Sequence, residues 1–208
     1  SVARNVKNVV AISTDKAVKP VSAMGMTKAL QEKIILSDDL TKDKTKFCCV
    51  RYGNVLGSRG SVIPLWNSKI EKNEPLPVTH PDMTRFLLTL SQAIDLVFYS
   101  LKHGKGGEIF VKKAPSATMV NLAKAYAELK TGKKDYPLKY VGIRAGEKID
   151  EVLVSHEEMR RAHEKKDHFV IERESNFDVT SLKKSLKTIE YDSGSVSHLS
   201  VKELKEIM

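Results

Sequence analysis

Ser13-Thr14-Asp15-Lys16 places two hydroxyls, a carboxyl group and an amine in four consecutive positions. A carboxyl group beside an amine can move protons in opposite directions when the surroundings let the acid donate and the lysine accept near neutral pH. An Asp behind a strand is otherwise a common loop cap, and its Lys neighbour a common surface charge, so the reading depends on what flanks the pair. Lys28 follows Met24 by four residues, which on a helix puts both side chains on one face. A second stretch, Arg51-Tyr52-Gly53-Asn54-Val55-Leu56-Gly57-Ser58-Arg59-Gly60-Ser61, is a glycine-rich turn leading into a helix that starts at Ser61. Arginine and helix amino termini both favour phosphate, which makes Arg59 and Ser61 candidate anion contacts.

The elements that must hold these residues follow from periodicity. Residues 8–13 are a short apolar run ending in small polar residues, the pattern of a buried parallel strand whose carboxyl end opens into a loop closed by Pro20. Residues 22–37 suit an amphipathic helix, and 46–52 a second strand. Strand, helix, strand in that order predicts a parallel α/β sheet with right-handed crossovers. Past Gly53 the chain is richer in turns, with a helix expected at 91–102, a strand at 108–111, a helix at 120–130 and a strand at 138–141, together a smaller lobe. The tail 157–208 is charged and weakly patterned, with one short helix at its end.

Composition narrows the class. At 208 residues, 41% hydrophobic and 29% charged, the chain is that of a globular protein rather than a disordered or fibrous one. Its most apolar stretches, 86–90 and 94–101, stop well short of the ~20 residues that a membrane span needs. A net charge of +9 suits an anionic ligand, but the lysines are scattered and lack aromatic interleaving, which favours solvated surface over a nucleic-acid face. Adjacent Cys48 and Cys49 point to opposite faces of a strand and are unsuited to a bridge, so a reducing, cytoplasmic setting is expected. The amino terminus carries neither Met nor a signal-peptide pattern and reads as internal sequence. His156, His163 and His168 lack the spacing of a metal site, and no Gly-x-Ser-x-Gly elbow occurs.

Ser13-Thr14-Asp15-Lys16-Ala17-Val18-Lys19-Pro20, followed by Met24-Gly25-Met26-Thr27-Lys28, resembles the CapD-like polysaccharide-biosynthesis branch of the extended short-chain dehydrogenase/reductase superfamily. That branch holds sugar-nucleotide 4,6-dehydratases and related epimerases, and the resemblance runs over about residues 6–161. Members usually carry a Tyr four residues before the Lys; here Met24 stands there, a departure typical of one dehydratase subgroup. Met24 cannot do acid–base work, so the proton released on oxidation needs another acceptor, a water or a lysine.

By resemblance, Lys28 holds the nicotinamide ribose, and Ser13 and Thr14 hydrogen-bond the sugar hydroxyl from which hydride leaves. Lys16 is then the base that takes the C5 proton of a hexose oxidised at C4, and Asp15 the acid for the departing C6 hydroxyl. Tyr52, Asn54 and Val55 match the segment beside the nicotinamide, with Asn54 also a sugar or phosphate contact. The blocks His80-Pro81-Asp82-Met83-Thr84-Arg85-Phe86 and Arg144-Ala145-Gly146-Glu147-Lys148 match segments framing the substrate nucleotide. Arg85 and Arg144 would neutralise its phosphates, and Glu147 would bind a ribose hydroxyl or orient Arg144.

The implied fold class is α/β: residues 1–60 as the carboxy-terminal part of a Rossmann-like NAD(P)-binding domain, and 61–208 as a substrate-binding lobe and tail interleaved with the sheet. A dinucleotide domain opens with a strand, a glycine-rich turn and a helix, and this sequence shows no such opening, so the amino-terminal part of the domain is expected to be missing. The implied activity is a 4,6-dehydratase on UDP-N-acetylglucosamine, using NAD or NADP, in surface-polysaccharide biosynthesis. A UDP-hexose 4-epimerase and an inactive, sugar-nucleotide-binding fragment are the alternatives. A homo-oligomer is implied, with the helix 24–37 as its interface.

Overall fold

The computed structural model describes residues 1–37, 44–58, 61–173 and 189–208, so candidate Arg59 lies outside the described residues. In chain order the elements are β1 (Asn8–Ile12), α1 (Ala23–Ile35), β2 (Lys46–Arg51), β3 (Asn54–Val55), α2 (Val62–Glu71), β4 (Leu76–Val78), β5 (Thr84–Leu88) and α3 (Leu90–His103). They continue with β6 (Ile109–Lys112), β7 (Ser116–Thr118), α4 (Met119–Thr131), β8 (Leu138–Tyr140), β9 (Val152–Val154), α5 (His156–Met159), β10 (Ala162–Glu164), β11 (His168–Ile171), β12 (Tyr191–Asp192) and α6 (Val201–Ile207). Two compact units interleave along the chain: Ser1–Gly53 with Ser91–Lys113 and Val152–Asp192, and Asn54–Leu90 with Ala114–Glu151 and Ser193–Met208.

The first unit is built on a sheet of order β1-β2-β6-β11-β10. β1, β2 and β6 run parallel, with Ile12 opposite Val50 and Val50 opposite Phe110, as strand–helix–strand alternation predicts. β11 and β10 then add antiparallel, so the sheet is mixed rather than wholly parallel. β1 was expected to be buried; among the described residues it lies at the sheet edge with β2 as its one strand partner, and Ile12 is half exposed. Cys48, Val50, Leu96 and Phe110 form a core between β2, β6 and α3. Both thiols are free, and burial pushes each up to about 12.

α1 starts where Ser22 accepts a hydrogen bond from the Gly25 amide at 3.2 Å, an N-cap that Pro20 precedes. Glycine at 25 is a steric requirement: a Cβ there would lie 2.3 Å from the Lys16 carbonyl oxygen. The missing side chain lets the first turn of α1 close onto the segment that carries Asp15 and Lys16.

The second unit holds a three-stranded sheet, β3-β5-β7, and a two-stranded one, β4-β8. Its core packs Trp66 of α2, Leu76 and Val78 of β4, Leu122 and Ala123 of α4, and Leu204 of α6. Each such large side chain contributes roughly 1.5–3 kcal/mol by leaving water. Trp66 is wholly enclosed and donates its indole N–H to the Pro77 carbonyl at 2.8 Å, so its own buried donor is paired. No helix among the described residues is long and apolar enough to cross a membrane.

Candidate functional site

In the first unit the chain leaves β1 at its carboxyl end, where parallel α/β sheets present ligand crevices, and forms a single 3-10 turn over Asp15–Ala17. Thr14 caps this turn. Asp15 is fully buried, and its Oδ1 accepts hydrogen bonds from Thr14 Oγ1 at 2.7 Å and from Lys16 Nζ at 2.8 Å. Asp15 Oδ2 is enclosed without a hydrogen-bond partner among the described residues. Lys16 keeps 30% of its side chain exposed while Asp15 keeps none, so anything outside reaches the carboxylate by way of its two partly exposed neighbours.

Ser13, expected at a ligand, instead faces inward. Its hydroxyl donates to Glu32 Oε1 at 2.5 Å and is 2% exposed. Met24 stands on the exposed side of the first turn of α1, and Lys28 lies one turn further. Lys28 Nζ donates to the Ile12 carbonyl at 3.1 Å and to Gln31 Oε1 at 2.9 Å, which leaves the third ammonium N–H for a ligand at the end of β1. An ammonium held there with one donor spare fits a ribose hydroxyl, so Lys28 suits the nicotinamide half of NAD or NADP. The Tyr52 carbonyl accepts from the Asp15 amide at 3.2 Å, and burial raises the Tyr52 phenol above its ordinary range.

The second unit carries a cleft of about 370 Å³ lined by Asn54, Ser61, Thr79, Arg85, Arg144 and Glu147. Thr79 had no signal of its own in the sequence; the other five are candidates brought together from three separate blocks. Asn54 pairs across to Leu87 and Val55 to Leu88 in the β3–β5 ladder. The Asn54 Oδ1 and Ser61 Oγ atoms are buried and find no partner among the described residues. Ser61 is the N-cap residue of α2 yet makes no capping bond with its side chain, and it lines the cleft at the start of that helix.

Two arginines line this cleft with different commitments. Arg85 donates through Nη1 to the carbonyls of Thr84 at 2.6 Å and Ile149 at 3.0 Å, and through Nη2 to that of Lys148 at 3.0 Å. Arg144 is exposed, and Glu147 turns back to accept from its main-chain amide at 3.2 Å, closing the turn in which Gly146 takes a φ of 83°. The Glu147 carboxylate thus shapes the turn that presents Arg144, while Arg85 fastens the strand end behind it.

The first unit thus carries the Asp15–Lys16 pair beyond the carboxyl end of a parallel strand of an α/β sheet, and the second unit carries the cleft lined by Asn54, Ser61 and Arg144. Residues 1–173 match the model of the polysaccharide biosynthesis protein family, and the chain belongs to that family. The UDP-glucose 4-epimerase of Rickettsia bellii is 41% identical over 98% of this chain, which spans 61% of that relative's length. The X-ray structure of Pen from Bacillus thuringiensis aligns with a TM-score of 0.85 and 36% identity, over 99% of this chain and 62% of that one. A dTDP-glucose 4,6-dehydratase from Bacillus anthracis, solved in complex with NAD, shares the fold at a TM-score of 0.58 and 19% identity, over 67% of this chain and 51% of its own.

Proposed function

We propose that this chain forms the catalytic part of a nucleotide-sugar 4,6-dehydratase acting on UDP-N-acetylglucosamine. The observation that carries the reading is the Asp15–Lys16 contact, 2.8 Å long, with the carboxylate sealed and the amine partly open. An epimerase at C4 needs no removal of the C5 proton and no acid for a C6 hydroxyl, whereas elimination of water needs both.

Lys28 would hold the nicotinamide ribose, and a bound NAD or NADP would supply the exchange of hydride between C4 and C6 of the hexose. Thr14 takes the proton released from the C4 hydroxyl as it passes its own to Asp15 Oδ1, 2.7 Å away, a relay that does the work of the phenol absent at Met24. Lys16, entering as the neutral amine, removes the C5 proton, which the C4 ketone has acidified. Asp15 sends its proton out through Thr14 to the departing C6 hydroxyl, which leaves as water. Lys16 finally returns a proton to C5. One water is lost and every protein group ends as it began.

In the second unit, Arg144 and the start of α2 at Ser61 bind the diphosphate of the uridine nucleotide, with Asn54 as a further polar contact. The protein assembles with copies of itself through α1, where Met26, Leu30 and Ile34 recur every four residues and stay exposed.

The relatives named UDP-glucose 4-epimerase favour a second reading, a UDP-hexose 4-epimerase, which shares hydride transfer at C4 and omits elimination. Mass spectrometry of the product from UDP-N-acetylglucosamine and from UDP-glucose separates them. A product lighter by one water supports the dehydratase; an isomer of unchanged mass supports the epimerase and removes the first reading.

A further inference from the structure

Arg51 is 1% exposed, and all five of its N–H groups are engaged. Nε donates to Glu32 Oε1 at 3.0 Å, and Nη2 to Glu32 Oε2 at 2.5 Å and Glu158 Oε1 at 2.9 Å. Nη1 donates to Glu158 Oε2 and to the Leu153 carbonyl, each at 2.9 Å. Glu158 is at the same time the N3 residue of the α5 capping box, accepting from the Ser155 amide at 3.0 Å. One guanidinium therefore joins β2, α1, β9 and α5.

The chain of contacts does not stop at Arg51. Glu32 Oε1 also receives the Ser13 hydroxyl at 2.5 Å, and Ser13 immediately precedes Thr14, Asp15 and Lys16. Glu32 lies one helical turn beyond Lys28 on α1, so the same carboxylate grips both the helix that carries Lys28 and the strand end that carries the proton-transfer pair. A buried ion cluster of this kind adds little net stability over apolar packing, because desolvation offsets most of the attraction. What it does supply is a fixed distance and direction, since each partner has one geometry that satisfies the planar fork.

We infer that Glu32 is a positioning residue, held by Arg51 and Glu158, that sets the Thr14–Lys16 turn against Lys28 through its bond to Ser13. The inference rests on the dehydratase reading for its kinetic consequence, but its geometric consequence is independent of which reaction runs. On this account Ser13 serves the site from behind and touches no ligand.

The test uses Ser13→Ala and Glu32→Asp in the full chain, with Arg51→Lys as the conservative replacement that keeps charge but not the five-donor fork. Near-ultraviolet circular dichroism first establishes folding. Ser13→Ala and Glu32→Asp are expected to bind UDP as the unaltered protein does and to keep its KM, while kcat falls by about 10- to 100-fold, the scale of a small misplacement of reacting groups. Lys28 labelling by acetic anhydride, followed by peptide mass spectrometry, is expected to quicken several-fold in Glu32→Asp. Should Arg51→Lys fail to fold, the other two variants still decide. Unchanged kcat together with unchanged Lys28 labelling in both overturns the inference. If the unaltered protein releases no water from the sugar nucleotide, the dehydratase reading has failed, and the labelling alone decides whether Glu32 positions Lys28.

Discussion

Lys16 Nζ lies 2.8 Å from Asp15 Oδ1, and the carboxylate has no exposed surface of its own. The pair differs from a surface ion pair, worth at most about 1 kcal/mol, because one member is sealed and the other is its door. Thr14, at 2.7 Å from the same oxygen, is the second door.

A relay through Thr14 needs a hydroxyl and not merely a side chain of that size. Thr14→Val, nearly isosteric, is therefore expected to lower kcat by about 100-fold or more, and Thr14→Ser to retain most of it. Steady-state rates with C4-deuterated substrate check which step has suffered: the isotope effect should grow in Thr14→Val. Equal activity in the two variants would remove the relay.

Arg144 and Arg85 should separate cleanly although both line one cleft. Arg144→Ala removes an exposed charge with no main-chain duty and is expected to weaken UDP binding by about 10- to 100-fold, with the melting temperature unchanged. Arg85→Ala removes a donor from three carbonyls, of which that of Ile149 keeps the Thr84 amide, and should lower both the melting temperature and the affinity. Calorimetric titration with UDP beside thermal melts reads both effects.

Glu158 predicts a dependence on pH. Burial by itself pushes its carboxyl up, but the Arg51 guanidinium, together with its hydrogen bonds, outweighs that and holds the group below the ordinary carboxylate range. A group depressed in the folded state contributes stability that is present above its unfolded value and lost as the pH falls through the folded one. The melting temperature should therefore drop as the pH is lowered below about 4.5, the usual value for a glutamate. Glu158→Gln should be less stable at neutral pH and lose part of that acid dependence.

How much of this was legible in the sequence differs from element to element. β1, α1 and β2 could be placed because each carries its own periodicity, and because Ser22 and Pro20 mark where α1 begins. β10 and β11 could not: they are three and four residues long, lie among charged residues of the tail, and exist because β6 offers them an edge to pair with. The Asp15–Lys16 pair was legible as adjacent chemistry, but the burial of Asp15 comes from packing. Ser13 and Arg85 show the limit most plainly. Their residue types suit a ligand, yet Glu32, 19 positions away, captures the first hydroxyl, and carbonyls at 148 and 149 capture the second guanidinium. Glu32 itself left a faint trace, an acid four residues after Lys28 on the same helix face.

The proposed self-association through α1 would bury apolar side chains that meet solvent in the single chain, Leu30 at 60% exposure foremost. Leu30→Glu places a charge in that stripe and is expected to lower the mass measured by light scattering without altering the circular dichroism. A mass already that of one chain in the unaltered protein would contradict assembly.

The most direct test of the central claim, that Lys16 lifts and later restores a proton at C5, is the reaction of UDP-N-acetylglucosamine run in heavy water and read by mass spectrometry and proton resonance at C5. The product is expected to have lost one water and to carry a single solvent deuterium at C5, and Lys16→Ala is expected to yield no such product. A product of unchanged mass with its original C5 proton, or full deuterium incorporation by Lys16→Ala, would contradict it.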